Sequence, residues 1–165
     1  LRLVGSEMCI RDSSQLHSEG KHAKELSLIG PSTGRWVPEI MKENNPEDIS
    51  FNPYMNGQFV FKNAVVRFTE VINAGLKKAG WKPNEIDMLI PHQANLRIAQ
   101  FVQKKFGLSD NQVYNNIQRY GNTTAASIPI ALTEAWEEGK IEKGNKVVLA
   151  AFGSGFTWGS IMIQW

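Results

Sequence analysis

Apolar residues recur every three or four positions over residues 58–79, and this period predicts an amphipathic helix. The apolar stripe consists of Phe61, Val65, Phe68, Ile72 and Leu76. Gly80 follows directly, and a glycine just past the last periodic residue commonly ends a helix. The pattern therefore predicts one long helix with a single apolar face.

Strand and helix patterns alternate along the rest of the chain. The predicted strands are IDMLIPH, QVYNNI, NKVVLAAFGSG and FTWGSIMIQW, and the predicted helices are NLRIAQFVQKKFG and SIPIALTEAWEEG. This alternation predicts an α/β fold with a mainly parallel sheet and helices on both faces. The last two strands are joined by a turn too short for a crossover, so we expect them to pair antiparallel.

Two N-terminal segments depart from this pattern. Residues 1–14, which begin with LRLVGSEMCIRDS, show neither the order of a signal peptide nor a regular period. We interpret them as a non-native leader outside the fold, so that the domain spans residues 15–165 and opens on a short strand-like run, ELSLIG. Residues 30–57 are rich in proline, glycine and asparagine, and predict a long surface excursion of the kind that is usually functional or disordered.

Composition and charge exclude several classes of protein. A hydrophobic content of 42% with 21% charged residues is typical of a globular chain. A net charge of +2 without an arginine-rich arm argues against nucleic acid, and no apolar run reaches the ~18–20 residues of a membrane helix. The histidines are not spaced like metal ligands, so no metal is expected. The single cysteine, Cys9, excludes an internal disulfide.

Polar features follow three predicted strands, at the sheet edge where α/β proteins bind ligands. His92 follows DMLI, Asn122 follows QVYNNI, and a glycine-rich turn with Phe152 and Ser154 follows VVLAA. A neutral histidine and an asparagine aimed at one point supply two hydrogen-bond donors, which can stabilise an enolate or an oxyanion. The turn adds a backbone N–H and allows a substrate to approach closely.

Each feature taken alone has a simpler structural interpretation. A lone histidine after a strand is more often a satisfied core or turn residue than a catalyst, and an asparagine after glycine is usually a turn residue. The FGSG turn misses the dinucleotide-binding spacing, and GNTT lacks the lysine of a phosphate-binding loop. The residues alone therefore leave a thioester or carbonyl site and a purely structural role both open.

Three longer motifs occur in order, about thirty residues apart: PHQANLRI, RYGNTTAASIPIAL and AFGSGFTWGS. Together they resemble the C-terminal half of β-ketoacyl-[acyl carrier protein] synthase III, in the thiolase-like condensing family, from about Gln15 to Trp165. The resemblance implies the C-terminal half of a thiolase-like fold. It also implies a decarboxylative Claisen condensation, in which an acyl group moves from acyl-CoA to an enzyme cysteine and malonyl-acyl carrier protein supplies the attacking carbanion. Both are substrates, and no cofactor is implied.

The resemblance also implies roles for individual residues. His92 and Asn122 would donate to the malonyl thioester carbonyl, the Ser154 N–H would help form an oxyanion hole, and Phe152 would shield the reacting carbon. The pantetheine tunnel would include Gly57, Phe61, Ala94 and Asn95, and the surface that docks the acidic carrier protein would include Arg97 and Lys104. A solvated surface lysine is the simpler interpretation of Lys104.

The sequence departs from the family at two points. The nucleophilic cysteine of the family is expected upstream, and Cys9 has neither its neighbours nor its place in the order. The chain is therefore expected to be incomplete, inactive in condensation on its own, and a homodimer when full-length. Ser154 stands where glycine is common, which the backbone tolerates if φ stays negative.

Several functions remain open at this point. Initiation of fatty acid chains, in bacterial cytosol or plastid stroma, is the leading hypothesis. An enzyme of the same family that condenses other acyl groups for secondary metabolites is the nearest alternative, because residues 30–57 form a longer excursion than we expect of a housekeeping enzyme. A half-subunit that binds a thioester or carrier protein and works in trans is a second alternative, and a structural domain with accidental motifs is a third. The acyl-chain preference cannot be read from the sequence.

Overall fold

The computed structural model describes residues 10–28 and 53–165, with side-chain environments from residue 13 onward. The strands are β1 (Ile10–Ser18), β2 (Leu26–Ser27), β3 (Tyr54–Met55), β4 (Met88–Pro91), β5 (Lys146–Gly153) and β6 (Thr157–Gln164). The α-helices are α1 (Gly57–Ala79), α2 (Leu96–Phe106), α3 (Ile117–Tyr120) and α4 (Ser127–Glu137). Short 3-10 segments occur at Gly20–Glu25, Pro83–Glu85, Asp110–Gln112 and Thr124–Ala126.

Four strands form the main sheet in the order β1–β6–β5–β4. Strands β5 and β6 pair antiparallel, as predicted, and β4 pairs parallel to β5. The expected parallel arrangement holds only on this side, where Leu89 makes a further isolated parallel bridge to Val113. At the other edge β1 pairs antiparallel to β6, which corrects the prediction of a mainly parallel sheet.

The prediction of a strand over QVYNNI is wrong. Only Val113 bridges to the sheet, and the segment then turns into the short helix α3. The reason is a long-range hydrogen bond, because the side-chain Oε1 of Gln93 accepts the backbone N–H groups of Asn116 and Ile117 at 3.1 and 3.2 Å. Those are the donors that a continuing strand would offer to a neighbour.

The N-terminal boundary of the fold also differs from the expectation. Strand β1 begins at Ile10, so residues 10–14, which we assigned to a leader, take part in the sheet. The buried Ser13 hydroxyl donates to the carbonyl of Gly75 on α1 at 2.9 Å. A strand that uses polar side chains in this way lacks the alternating apolar pattern that identifies strands in a sequence. Residues 1–9 lie outside the described residues.

The other N-terminal predictions are tested only in part. Of the run ELSLIG, Leu26 and Ser27 form β2, which pairs antiparallel with β3. Residues 30–52 of the predicted excursion lie outside the described residues. The excursion ends where α1 begins, at Gly57.

The long helix α1 confirms the periodicity prediction and its end at Gly80. The Asn56 side chain caps its first turn by accepting the Phe59 N–H at 3.3 Å. Gly80 adopts a left-handed φ of 73°, and its N–H bonds back to the last turn. Val65, Phe68, Ile72 and Leu76 are buried, and Phe61 is half-buried.

Two hydrophobic layers cover opposite faces of the sheet. The larger layer packs α1 and α2 on side chains such as Leu89 and Val148. The smaller layer packs α4 on Met88, Ile90 and Val147, the alternate residues of the same strands. Because successive strand residues point to opposite faces, the end of β4 lies between both layers. Within the described residues, none of the helices is both long enough and apolar enough to cross a membrane.

Candidate active site

A cleft of about 920 Å³ opens at the carboxyl ends of β4 and β5. Its wall includes these residues predicted from the sequence: His92, Ala94, Asn122, Phe152 and Ser154. Apolar side chains, among them Val60, Phe68 and Ile98, line the remainder together with parts of β1 and β6. A site of this composition lowers the local dielectric constant, so hydrogen bonds to a developing charge are stronger there than in water.

His92 occupies the first position after β4. Its backbone N–H donates to the Ala150 carbonyl at 2.8 Å, which extends the contact between β4 and β5 by one residue. Its ring Nδ1 lies 2.6 Å from the Ser127 hydroxyl, at the start of α4. Burial lowers the pKa of His92, which favours the neutral ring with a single N–H.

Gln93 links the His92 segment to the segment that leads to Asn122. The side chain is 3% exposed, and its Nε2 donates to the carbonyls of Pro91 and Tyr114 at 2.7 and 3.3 Å. Its Oε1 accepts the N–H groups of Asn116 and Ile117. All four hydrogen-bonding positions of the amide are therefore used, and all four partners are backbone groups.

Asn122 is oriented by its own turn. Its Oδ1 accepts the Thr124 N–H at 2.9 Å, which leaves the two hydrogens of the Nδ2 group as the donors of the side chain. Gly121 precedes it with a φ of 66°, and Thr124 follows with a φ of 52°. Positive φ is unfavourable for a β-branched residue, and the hydrogen bond from its N–H to Asn122 helps to hold this conformation.

The glycine-rich turn between β5 and β6 is anchored to β2. The Ser154 hydroxyl donates to the Leu26 carbonyl at 2.7 Å, and the Thr157 hydroxyl donates to the Ser154 carbonyl at 2.8 Å. Among the described non-glycine residues only Thr124 has a positive φ, so the φ of Ser154 is negative. A negative φ is the condition under which the backbone tolerates serine in place of glycine at this position, and Ser154 meets it.

Phe152 belongs to the core as well as to the cleft wall. It is 6% exposed, and its ring lies 4.8 Å from that of the fully buried Phe156, measured between centroids. Its place at the reacting carbon of an acyl group stays a prediction.

The remaining predicted residues do not line the cleft. Gly57 is exposed at the first position of α1, and Phe61 lies half-buried one turn further along. The Asn95 side chain caps α2 by accepting the Arg97 N–H at 2.9 Å, while the Arg97 and Lys104 side chains are exposed on α2. These positions are compatible with an entrance and a docking surface, and their roles stay predictions.

Sequence reasoning missed three residues that orient the candidate site: Gln93, Ser127 and Thr124. Gln93 is adjacent to His92, but an amide beside a histidine gives no sign of being a buried crosslink. Ser127 was visible only as the start of a predicted helix. The positive φ of Thr124 has no sequence signal, because threonine rarely adopts it.

A second polar cluster lies beside a smaller cavity of about 320 Å³ lined by Tyr114 and Arg119. The Tyr114 hydroxyl donates to Glu138 at 2.8 Å, and Arg119 donates to Tyr114 at 2.9 Å and to Glu134 at 2.7 Å. Asn116 and Tyr120 also donate to Glu134. Burial and the nearby Glu138 raise the pKa of Tyr114 to about 12. No group of three or more potential metal ligands occurs among the described residues.

The fold and the cleft define the class of protein. Residues of the chain superpose on 3-oxoacyl-[acyl-carrier-protein] synthase III from Aquifex aeolicus VF5 with a TM-score of 0.81 and 35% identity, covering 98% of this chain and 46% of that one. The structure is therefore that of one half of a thiolase-like condensing enzyme, which confirms the predicted α/β, thiolase-like class of fold, although its sheet is mixed and not mainly parallel.

Sequence comparisons identify the family. The model of the 3-oxoacyl-[acyl-carrier-protein] synthase III C-terminal domain matches residues 76–165. The β-ketoacyl-[acyl-carrier-protein] synthase III of Clostridioides difficile is 50% identical over 153 residues, and that of Desulfotalea psychrophila is 42% identical over 159 residues. Both alignments cover 93% of this chain, but only 45% and 46% of the relatives' lengths. The chain belongs to the 3-oxoacyl-[acyl-carrier-protein] synthase III family and spans about half the length of these relatives.

Proposed function

We propose that the chain carries the decarboxylation site of a β-ketoacyl-[acyl carrier protein] synthase III-type acyltransferase. The proposal rests on one observation: His92 and Asn122 line the same cleft, and each side chain uses one polar atom to fix its orientation. The amide N–H of Asn122 and one N–H of the neutral His92 ring then remain for a substrate. A structural role alone would not require donors held in this way.

In this proposal His92 and Asn122 hold the carbonyl oxygen of malonyl-acyl carrier protein. When carbon dioxide leaves, the electron pair of the broken C–C bond moves into an enolate, and negative charge develops on that oxygen. Two donors in a mainly apolar cleft stabilise this charge, and removing one such donor typically costs ~10²–10³ in rate. The lowered pKa of His92 favours the neutral ring, which leaves a carbonyl-binding N–H without the positive charge that would trap the malonyl carboxylate.

The condensation step needs a nucleophilic cysteine that holds the acyl group from acyl-CoA. Cys9 is the single cysteine of the chain and lies outside the described residues. We assign the nucleophile to the part of the relatives that this chain does not match, and expect the chain alone to be inactive in condensation. The Ser154 N–H would then complete the oxyanion hole for the acyl-cysteine, beside Phe152.

The relatives' names specify an acyl carrier protein, and we expect the same kind of partner here. Its pantetheine arm would pass Gly57, Phe61, Ala94 and Asn95. The exposed Arg97 and Lys104 would face the acidic carrier surface. A homodimer, a cytosolic or stromal location and the initiation of fatty acid synthesis belong to the same proposal.

The test is to join residues 10–165, which include the whole of β1, to the N-terminal part of the Clostridioides difficile relative. Carbon dioxide release from malonyl-acyl carrier protein and formation of the β-ketoacyl product are then measured. We expect His92→Ala and Asn122→Ala each to lower turnover about 100-fold or more. His22→Ala and Asn145→Ala are matched controls. His22 does not line the cleft, and Asn145 accepts a backbone N–H in a surface turn at 2.7 Å, as Asn122 does at its site.

Two results would overturn the proposal. The first is an active joined protein in which His92→Ala and Asn122→Ala turn over at the unchanged rate. The second, against the assignment of the nucleophile, is β-ketoacyl product made by the chain alone.

The alternative role in secondary metabolism keeps the same chemistry and changes the acyl group. It was motivated by residues 30–57, most of which lie outside the described residues. A series of acyl-CoA substrates of increasing length and branching, offered to the joined protein, distinguishes the two roles. A strong preference for acetyl-CoA or another short starter favours fatty acid initiation.

A further inference from the structure

Ser127 is a buried serine whose hydroxyl contacts the candidate catalytic histidine. It is the first residue of α4 and is 2% exposed. Its Oγ lies 2.6 Å from His92 Nδ1 and 3.3 Å from the backbone nitrogen of Gln93. The two partners are consecutive residues, so this single hydroxyl meets both the ring and the backbone of the turn after β4.

The chemistry of these partners determines where the proton of the hydroxyl lies. A backbone N–H can only donate, so Gln93 takes one lone pair of the serine oxygen. Among the described residues, His92 Nδ1 is the only acceptor within hydrogen-bond distance of the Ser127 hydroxyl. If Nδ1 carried the proton instead, the oxygen would accept twice and its own hydrogen would be buried without a partner, which is unfavourable.

We propose that Ser127 is a positioning residue that holds His92 in the tautomer with Nδ1 unprotonated and the hydrogen on Nε2. The hydroxyl of Ser127 donates to Nδ1, and the Nε2–H is kept for the cleft. The consequence for catalysis rests on the proposed function, because an Nε2–H donor is what a thioester carbonyl would require. The tautomer itself follows from the local hydrogen bonds and is testable independently of any activity.

The first experiment is nitrogen-15 NMR of the imidazole rings of the chain, with the His92 signals identified by their loss in His92→Gln. We expect the shift of Nε2 to be that of a protonated nitrogen, and the shift of Nδ1 to be that of an unprotonated nitrogen that accepts a hydrogen bond. A protonated Nδ1 in the unchanged chain would overturn the proposal. This result does not depend on whether any variant folds.

Variants then test whether Ser127 is the cause. In Ser127→Ala the Nδ1 signal should move to the position of an unbonded nitrogen, and the pKa of His92 should rise because the neutral ring loses a donor. Ser127→Thr keeps a hydroxyl and should restore both readouts. Ser13→Ala is the matched control, since it removes another buried serine hydroxyl, 2.9 Å from its acceptor, at a position of β1 that does not line the cleft. Unchanged His92 signals in a folded Ser127→Ala protein would overturn the proposal.

A kinetic measurement on the joined protein connects the tautomer to decarboxylation. Ser127→Ala should lower kcat about tenfold, the equivalent of one hydrogen bond of ordinary strength, and leave KM for malonyl-acyl carrier protein unchanged. Ser13→Ala should change neither constant. If His92→Ala had no effect on turnover, the proposed function would fail while the NMR result still stood. If His92→Ala abolished turnover but Ser127→Ala left both kcat and the nitrogen shifts unchanged, only the inference about Ser127 would fail.

Discussion

Helix α4 contacts two polar clusters, one at each end, and their hydrogen bonds differ in kind. At its N-terminus Ser127 meets His92 in a cluster of neutral groups, where each side chain uses one polar atom for orientation. Toward its C-terminus Glu134 and Glu138 hold a charged cluster in which tyrosine, arginine and asparagine side chains donate to carboxylates of the protein. The comparison teaches that a polar cluster is a candidate site when its side chains are held in a fixed orientation and still have N–H groups left to donate to a ligand.

The two clusters are also connected. Gln93 accepts the backbone N–H of Asn116, and the Asn116 side chain donates to Glu134 at 2.7 Å. The charged cluster therefore lies behind the segment that leads to Asn122. We interpret it as a support for this segment, and its ion pairs, which are partly exposed, contribute modestly to stability.

The most direct test of this comparison alters a donor of the first cluster, Asn122, and an acceptor of the second, Glu134. Asn122→Asp keeps an oxygen for the Thr124 N–H but removes the donor, so decarboxylation by the joined protein should fall about 100-fold or more. Glu134→Gln keeps the shape of a residue in the other cluster and should lower the rate less than about threefold. Steady-state kinetics with malonyl-acyl carrier protein measure both, and an equal loss in the two variants would contradict the distinction.

The connection through Gln93 predicts the largest effect on stability. Gln93→Ala leaves two backbone N–H groups and two carbonyls without their buried partner, so the free energy of unfolding should fall by about 3 kcal/mol. The matched control is Gln118→Ala, because Gln118 is exposed and makes one local bond at 3.2 Å. Urea unfolding measures both variants. A loss below about 1 kcal/mol in Gln93→Ala would show that the segment is held by other contacts.

The neutral state of His92 predicts a pH dependence. Its pKa is lowered in the folded state, so between that pKa and the unfolded value near 6.5 the unfolded chain binds more protons. The free energy of unfolding should therefore fall as the pH drops below about 6.5, by at most about 1.4 kcal/mol per pH unit from this residue. His92→Gln should flatten this part of the profile, measured by urea unfolding from pH 5 to 8. A slope that is unchanged in His92→Gln would assign the dependence to other groups.

The charged cluster predicts a smaller effect at the alkaline end. The pKa of Tyr114 is raised to about 12, so the stability that the protonated hydroxyl supplies is present below the unfolded value near 10 and is lost between pH 10 and 12. Tyr114→Phe should remove this part of the alkaline loss and cost about 1 kcal/mol at pH 8. Urea unfolding at pH 8 and between pH 10 and 12 measures both effects. An alkaline slope equal to that of the unchanged chain would contradict the role of Tyr114.

Most of the regular elements were predictable because their signals are local. Helices α1, α2 and α4 and strands β4, β5 and β6 follow from apolar periods and from glycine or proline at their ends. The exceptions are two segments in which a side chain bonds to backbone far along the chain. The segment 112–117 leaves the strand conformation where Gln93 accepts two of its N–H groups, and β1 lacks an alternating apolar pattern, with its buried Ser13 bonded to α1.

The candidate site likewise has features that local sequence determines and features that depend on long-range contacts. The sequence by itself determined the class of fold, the family, the place of His92 at a strand end and the presence of Asn122 in a polar turn, because motifs and periods are properties of neighbouring residues. Only the tertiary structure decided how these side chains are oriented. Ser127 lies 35 residues from His92 in the chain, and Gln93 reaches 23 and 24 residues to Asn116 and Ile117. Hydrogen bonds across such separations depend on the packing of whole elements, and no local pattern encodes them.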